Sequence, residues 1–189
     1  MPQPELLKKV LEHLDENHID YMLTGSLVSS LQGEPRATHD FDILVNITRA
    51  AISPLVNAFT PPDYYISESA IEDAIKHKSM FNLLDTAGGD KIDFWILTGD
   101  PFDQSRFARK YEEKMLGLSM KISSPEDTIL MKLRWAHLSG GSEKQFTDAL
   151  RVYEVQFGNL DLTYMESWTK MLQVENLWER LKQEAQPIA

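Results

Sequence analysis

The chain has 189 residues, no cysteine, and 19 basic against 29 acidic side chains, for a formal charge of −10. With 42% apolar and 25% charged residues it reads as a folded globular chain of one domain, or of a core with a small appendage, and not as a disordered one. A disulfide scaffold, a thiolate metal site and a thiol nucleophile are excluded, and the acid excess speaks against a broadly basic nucleic-acid surface.

The first residues carry no basic stretch followed by an apolar one, so no signal peptide is expected. No apolar run approaches the ~18 residues of a membrane span. A cytoplasmic protein without a membrane partner is the expectation, and the missing cysteine fits a reducing compartment.

Leu6, Leu7, Val10, Leu11 and Leu14 predict a helix over residues 4–16. Ile19 to Thr24 reads as a strand, broken by Gly25-Ser26, after which Leu27, Val28 and Leu31 suggest a short helix. Gly33 to His39 is a polar loop, and residues 40–45 alternate as a strand. Thr48 is placed to cap a helix running to about Phe59, Tyr64 to Ile66 suits an edge strand, and Glu68 to Lys76 is helical in character. Met80–Asp85 and Lys91–Leu97 form a hairpin signal across Thr-Ala-Gly-Gly-Asp. Residues 101–110 read as a helix and 115–122 as a strand.

From Ser123 the pattern changes. Ser124-Pro125-Glu126-Asp127 is a helix start, with cap, proline and first-turn acids in order. Ile129, Leu130, Leu133 and Ala136 form its apolar face and Gly140-Gly141 ends it. Ser142-x-x-Gln145 has the form of a capping box for a helix with Phe146, Ala149, Leu150 and Tyr153 on one face. Two more helices follow, at about 162–173 and 174–184. The expected organisation is an α/β core over residues 1–122 and a C-terminal helical region over 123–189.

The chemistry concentrates in Asp40-Phe-Asp42-Ile. Residues two apart on a strand share a face, so Asp40 and Asp42 project together while Phe41, Ile43 and Val45 turn to the core. Adjacent carboxylates repel and strands disfavour Asp, and a divalent cation supplies the compensation. Asp93 stands inside the later strand Lys91–Leu97, between the core-like Ile92 and Phe94. Three strand-borne carboxylates are suited to two metal ions about 3.5–4 Å apart, the arrangement that serves phosphoryl transfer. Gly25-Ser26, between a strand and a helix, offers backbone amides to phosphate oxygens. The bland alternatives are a solvated Asp-x-Asp edge, an ordinary Gly-Ser turn and a surface Asp93. Against them stands the ordered conjunction of all these features.

That conjunction resembles the nucleotidyltransferase superfold of DNA polymerase β and kanamycin nucleotidyltransferase. The motif reads Leu23-Thr24-Gly25-Ser26, thirteen residues, Asp40-Phe41-Asp42-Ile43, and later Asp93, with Thr24 where an apolar residue is usual. In the helical half, Ser124-Pro-Glu-Asp127-x-Ile-Leu-x-Lys132 and Ser142-Glu-Lys-Gln-Phe-x-Asp148 are similar to the AbiEii-type nucleotidyltransferases, which include abortive-infection and MenT-like toxins.

The resemblance implies an α+β fold, with a mixed sheet, flanking helices and a C-terminal helical bundle. It implies transfer of a nucleoside monophosphate from an NTP to an acceptor hydroxyl of RNA or tRNA, protein or a small molecule, with a cognate antitoxin as a further partner. Asp40, Asp42 and Asp93 would bind Mg²⁺, two ions in the full set, and Asp93 would serve as base. Gly25 and Ser26 would hold phosphates, Lys132 would neutralise the triphosphate, Asp148 would orient Lys132 or the acceptor, and Arg36 is a further phosphate contact. On residue character alone, Lys132 also suits a solvated helix position and Asp148 a pair with Lys144 or Arg151. A non-catalytic nucleotide-binding or toxin-partner protein that keeps the fold is the competing reading; an accidental match in an acidic α/β protein is the third.

Overall fold

The computed structural model describes residues 5–35, 38, 40–115 and 117–186. By its internal contacts the chain divides into two units. The first is Met1–Thr24 with Ala37–Ile122; the second is Gly25–Arg36 with Ser123–Ala189.

The first unit is built on one mixed seven-stranded sheet in the order β3-β4-β5-β2-β1-β7-β6. Helix α1 (Glu5–Glu16) buries all five of its leucine and valine positions and leads into β1 (Asp20–Thr24). Strand β2 (Asp40–Asn46) runs antiparallel to β1, with Thr24 opposite Asp42. A single 3-10 turn and α3 (Ile52–Ala58) follow. Thr48 precedes that turn but makes no side-chain cap bond, a departure from the expected capped helix. Strand β3 (Tyr64–Ile66) is the sheet's edge, and α4 (Glu68–His77) is capped by Ser67 Oγ, which accepts from the Ala70 amide.

The expected hairpin is β4 (Met80–Asp85) and β5 (Lys91–Ile96), and β5 lies parallel to β2. Phe81 and Phe94 stack across the hairpin with centroids 4.8 Å apart. Helix α5 (Pro101–Ala108) starts at Asp100, whose carboxylate accepts from the Phe102 and Asp103 amides. The strand expected over 115–122 is instead a hairpin of β6 (Tyr111–Met115) and β7 (Leu118–Ile122). Tyr-Glu-Glu-Lys carries too little apolar alternation to announce β6, and charged residues are what an exposed edge strand tolerates.

The second unit is helical. Helix α2 (Gly25–Gln32) packs with α6 (Pro125–Leu138) and α7 (Glu143–Gln156), and α8 (Leu162–Leu172) and α9 (Glu175–Glu184) complete the group. Ser124 and Ser142 accept from the amides three residues on, as their sequence context predicts. The reciprocal half of a capping box is missing at Ser142, because Gln145 Oε1 is buried without a partner among the described residues. Ile129, Leu130, Leu133, Ala136, Phe146, Ala149, Tyr153 and Trp178 form the buried interior. The architecture is α+β: a mixed sheet with flanking helices and C-terminal helices. No helix among the described residues is long and apolar enough to cross a membrane.

Candidate active site

The carboxylates assemble through strand register. Parallel pairing of β2 with β5 sets Asp42 beside Asp93 and Asp40 beside Lys91. Because side chains alternate along a strand, Asp40, Asp42, Lys91, Asp93 and Trp95 all stand on one face, while Phe41, Ile43, Ile92 and Phe94 are buried in the opposite one. Antiparallel pairing with β4 adds Asn82 next to Asp93 and Leu84 next to Lys91. The three acids anticipated from the alternation thus lie on neighbouring strands of the first unit.

Each acid has partners. Asp42 Oδ1 accepts from Trp95 Nε1 at 3.1 Å, and Asp93 Oδ1 accepts from Asn82 Nδ2 at 3.1 Å. Lys91 Nζ lies 2.9 Å from Asp93 Oδ2 and 3.7 Å from Asp40 Oδ1. The hydrogen bond to Asp93, with the charges of Asp93, Asp40 and Asp42 behind it, holds the Lys91 ammonium above the ordinary lysine range. Asp93 is close to fully buried, whereas the Asp40 side chain is 63% exposed.

The donor chemistry suits a hard divalent cation: two carboxylates side by side and a third two residues along the strand, all oxygen ligands. Among the described residues, no three His, Asp or Glu side chains converge closely enough to hold a metal by themselves. A cation at Asp42 and Asp93 would therefore take the rest of its ligands from substrate phosphates or water, which is usual for Mg²⁺.

A second group forms within the helical unit. Lys132 on α6 is 4% exposed, and its Nζ lies 2.7 Å from Asp148 Oδ2 on α7 and 3.5 Å from Ser26 Oγ on α2. The structure thus brings together Ser26, Lys132 and Asp148, and the partner of Asp148 in this contact is Lys132 across two helices, not a neighbour on its own helix. Arg151 is engaged instead with Glu34 and Glu154. Gly25 opens α2 with φ +71°, a left-handed conformation that costs any other L-residue energy. Arg36 lies outside the described residues. Gly33 matters for another reason: a Cβ there would stand 2.9 Å from the Val152 amide nitrogen.

Sequence reasoning missed Lys91, Trp95 and Asn82. Lys91 and Trp95 were within reach, being two residues to either side of Asp93 on the same strand. In the helical unit Trp178 is buried, and Trp135 and Trp168 are half-buried.

No protein-family model matches the chain, and no curated protein matches it. Solved structures do. An antigenic nucleotidyltransferase-like protein from Paracoccidioides brasiliensis is 16% identical, over 98% of this chain and 94% of that one, with a TM-score of 0.52. The antibiotic-resistance factor ANT(2")-Ia, in complex with adenylyl-2"-tobramycin, is 13% identical over 92% of this chain and 98% of that one, with a TM-score of 0.58. The lincosamide antibiotic adenylyltransferase LnuA, bound to lincomycin, is 16% identical over 78% and 94%, with a TM-score of 0.52. The chain has a nucleotidyltransferase-like α+β fold.

Proposed function

We propose that the protein is a metal-dependent nucleotidyltransferase that moves a nucleoside monophosphate from an NTP to an acceptor hydroxyl and releases pyrophosphate. The observation that carries this reading is the register of β2 and β5, which sets Asp42 beside Asp93 on the face that also bears Asp40, within a nucleotidyltransferase fold. Gly25 and Ser26 follow directly on Thr24, the register partner of Asp42.

In this reading Asp40, Asp42 and Asp93 would hold Mg²⁺, which neutralises triphosphate charge and lowers the barrier at the α-phosphorus. The acceptor oxygen bonds to the α-phosphorus, the bond from that phosphorus to the bridging oxygen of pyrophosphate breaks, and the hydroxyl proton passes to an Asp93 carboxylate oxygen. Trp95 and Asn82 orient Asp42 and Asp93 through their N–H donors. The Gly25 and Ser26 amides and the Ser26 hydroxyl serve the phosphates. Lys132 would supply positive charge to phosphate, as the resemblance implies, and Asp148 holds its ammonium at 2.7 Å.

A small hydroxylated acceptor is favoured. Two similar structures of comparable length are named for adenylyl transfer to antibiotics or hold an adenylyl-antibiotic, and the acid excess suits a cationic substrate. The AbiEii-type pattern of Lys132 and Asp148 leaves the other acceptor classes, RNA or tRNA and protein, open, and suits a cytoplasmic toxin–antitoxin setting with a cognate antitoxin. The non-catalytic reading draws on one observation, the Lys91 ammonium standing among the acids.

The test is label transfer. The protein is incubated with each α-labelled NTP, Mg²⁺ and either a panel of hydroxylated cationic small molecules or total tRNA, beside an Asp40→Ala/Asp42→Ala variant. Transfer to the small molecules, lost in the double variant, is expected. Transfer that survives in that variant overturns the metal-dependent mechanism. No transfer to any acceptor, with no NTP-dependent thermal shift, overturns the enzymatic reading.

A further inference from the structure

Lys91 stands where the acids are most in need of compensation. Register puts it beside Asp40, and alternation puts it on the face of Asp93. Its ammonium reaches both, at 3.7 Å and 2.9 Å. On its other side the cross-strand neighbour is Leu84, an apolar residue. Two-thirds of the Lys91 side chain is sheltered, so the contact is set partly by packing.

We propose that Lys91 is a tethered counter-ion that competes with a divalent cation for the Asp40 and Asp93 carboxylates, so that the nucleotide-free protein binds the free ion weakly. This rests on the reading of Asp40, Asp42 and Asp93 as metal ligands.

A lysine ammonium and a divalent cation seek the same oxygens and repel each other at contact distance. To admit the ion, Lys91 must give up its bond to Asp93. Its flexible four-carbon stem lets it swing aside without backbone movement. The cost of that exchange is subtracted from the affinity for the ion. A triphosphate changes the balance, because its oxygens offer the displaced ammonium a new partner. The ion and the triphosphate therefore bind together more tightly than either does alone, and by linkage the enhancement is equal in both directions. In the resting protein Lys91 also limits repulsion among the three acids, which lets the sheet form without metal.

The test uses Mn²⁺ as probe and needs no turnover. Free Mn²⁺ is titrated by electron paramagnetic resonance against the full chain without nucleotide, as wild type, K91M, K91R, D42N and K91M/D42N, with circular dichroism confirming that each is folded. K91M is expected to bind Mn²⁺ about tenfold more tightly than wild type, K91R to stay within a factor of about two, and K91M/D42N to lose the gain. If K91M does not fold, K91Q takes its place. Equal or weaker binding by K91M, where D42N still abolishes the wild-type signal, overturns the role of Lys91 and leaves the metal reading intact. A gain in K91M that survives D42N also overturns it, since the ion then sits elsewhere. No Mn²⁺ binding by wild type or K91M, with or without a non-hydrolysable ATP analogue, overturns both.

Discussion

Lys132 and Asp148 form a salt bridge of 2.7 Å between α6 and α7, with side chains only 5% and 11% exposed. A charge stripped of its counter-charge in such a place is also shielded from water, so removing one member costs far more than an exposed pair would. Lys132→Met and Asp148→Asn are each expected to destabilise the protein by about 3 kcal/mol or more. The double variant Lys132→Met/Asp148→Asn should cost clearly less than the sum. Urea denaturation followed by circular dichroism measures this, and additive costs would refute the coupling.

Asp42 offers the opposite combination. It faces Asp93 across β2 and β5, and like charges on adjacent strands are destabilising. Asn in its place still accepts from Trp95 through a side-chain oxygen. Asp42→Asn should therefore lose label transfer by about 100-fold or more, while the metal-free melting temperature holds or rises slightly. A large fall in melting temperature would show that the acid is structural.

Trp95 separates packing from orientation. Its ring packs against a cluster of Met22, Leu44, Leu97 and Phe107, and its Nε1 donates to Asp42. Phe keeps the first and loses the second. Trp95→Phe is expected to lower turnover by about tenfold with a melting temperature close to wild type. Unchanged turnover would remove Trp95 from the machinery.

Gly33 is a close-approach position. The atoms a Cβ would meet, Val152 N at 2.9 Å, Arg151 C at 3.0 Å and Ser29 O at 3.0 Å, are all backbone and cannot step aside by rotating a side chain. Gly33→Ala should destabilise by about 1–3 kcal/mol, read as a lower urea midpoint. A neutral result would mean that α2 and α7 part easily.

Much of this was legible in the residues, and the exceptions have physical causes. Asp40 and Asp42 could be read as a facing pair because strand alternation has a period of exactly two. The same rule reaches Lys91 and Trp95 from Asp93, without any knowledge of neighbouring strands. Asn82 is different: its place beside Asp93 depends on the register of the β4–β5 hairpin, where a slip of one residue would turn it to the other face. Lys132 as a partner for Asp148 was implied by the resemblance and not by residue spacing. Lys144 and Arg151 lie at helical spacing from Asp148, and only the packing of α6 on α7 decides among them. Strand β6 escaped notice because Tyr-Glu-Glu-Lys is mostly charged and shows no apolar alternation, and its pairing with β7 is not visible in the residues alone.

The path of the chain bears on heredity as well as on folding. It passes between the two units three times: after Thr24, before the strand that begins at Asp40, and after Ile122. Neither unit is therefore a contiguous stretch of gene. A recombination break at residue 122 would deliver a sheet still attached to α2, whose Leu27 and Val28 are buried in the whole chain, without α6 and α7, with which α2 packs. Such a piece would bare apolar surface and be prone to aggregate. Swapping the helical part between relatives would carry a matched pair of segments or fail, so the two segments of the helical unit are bound to travel together.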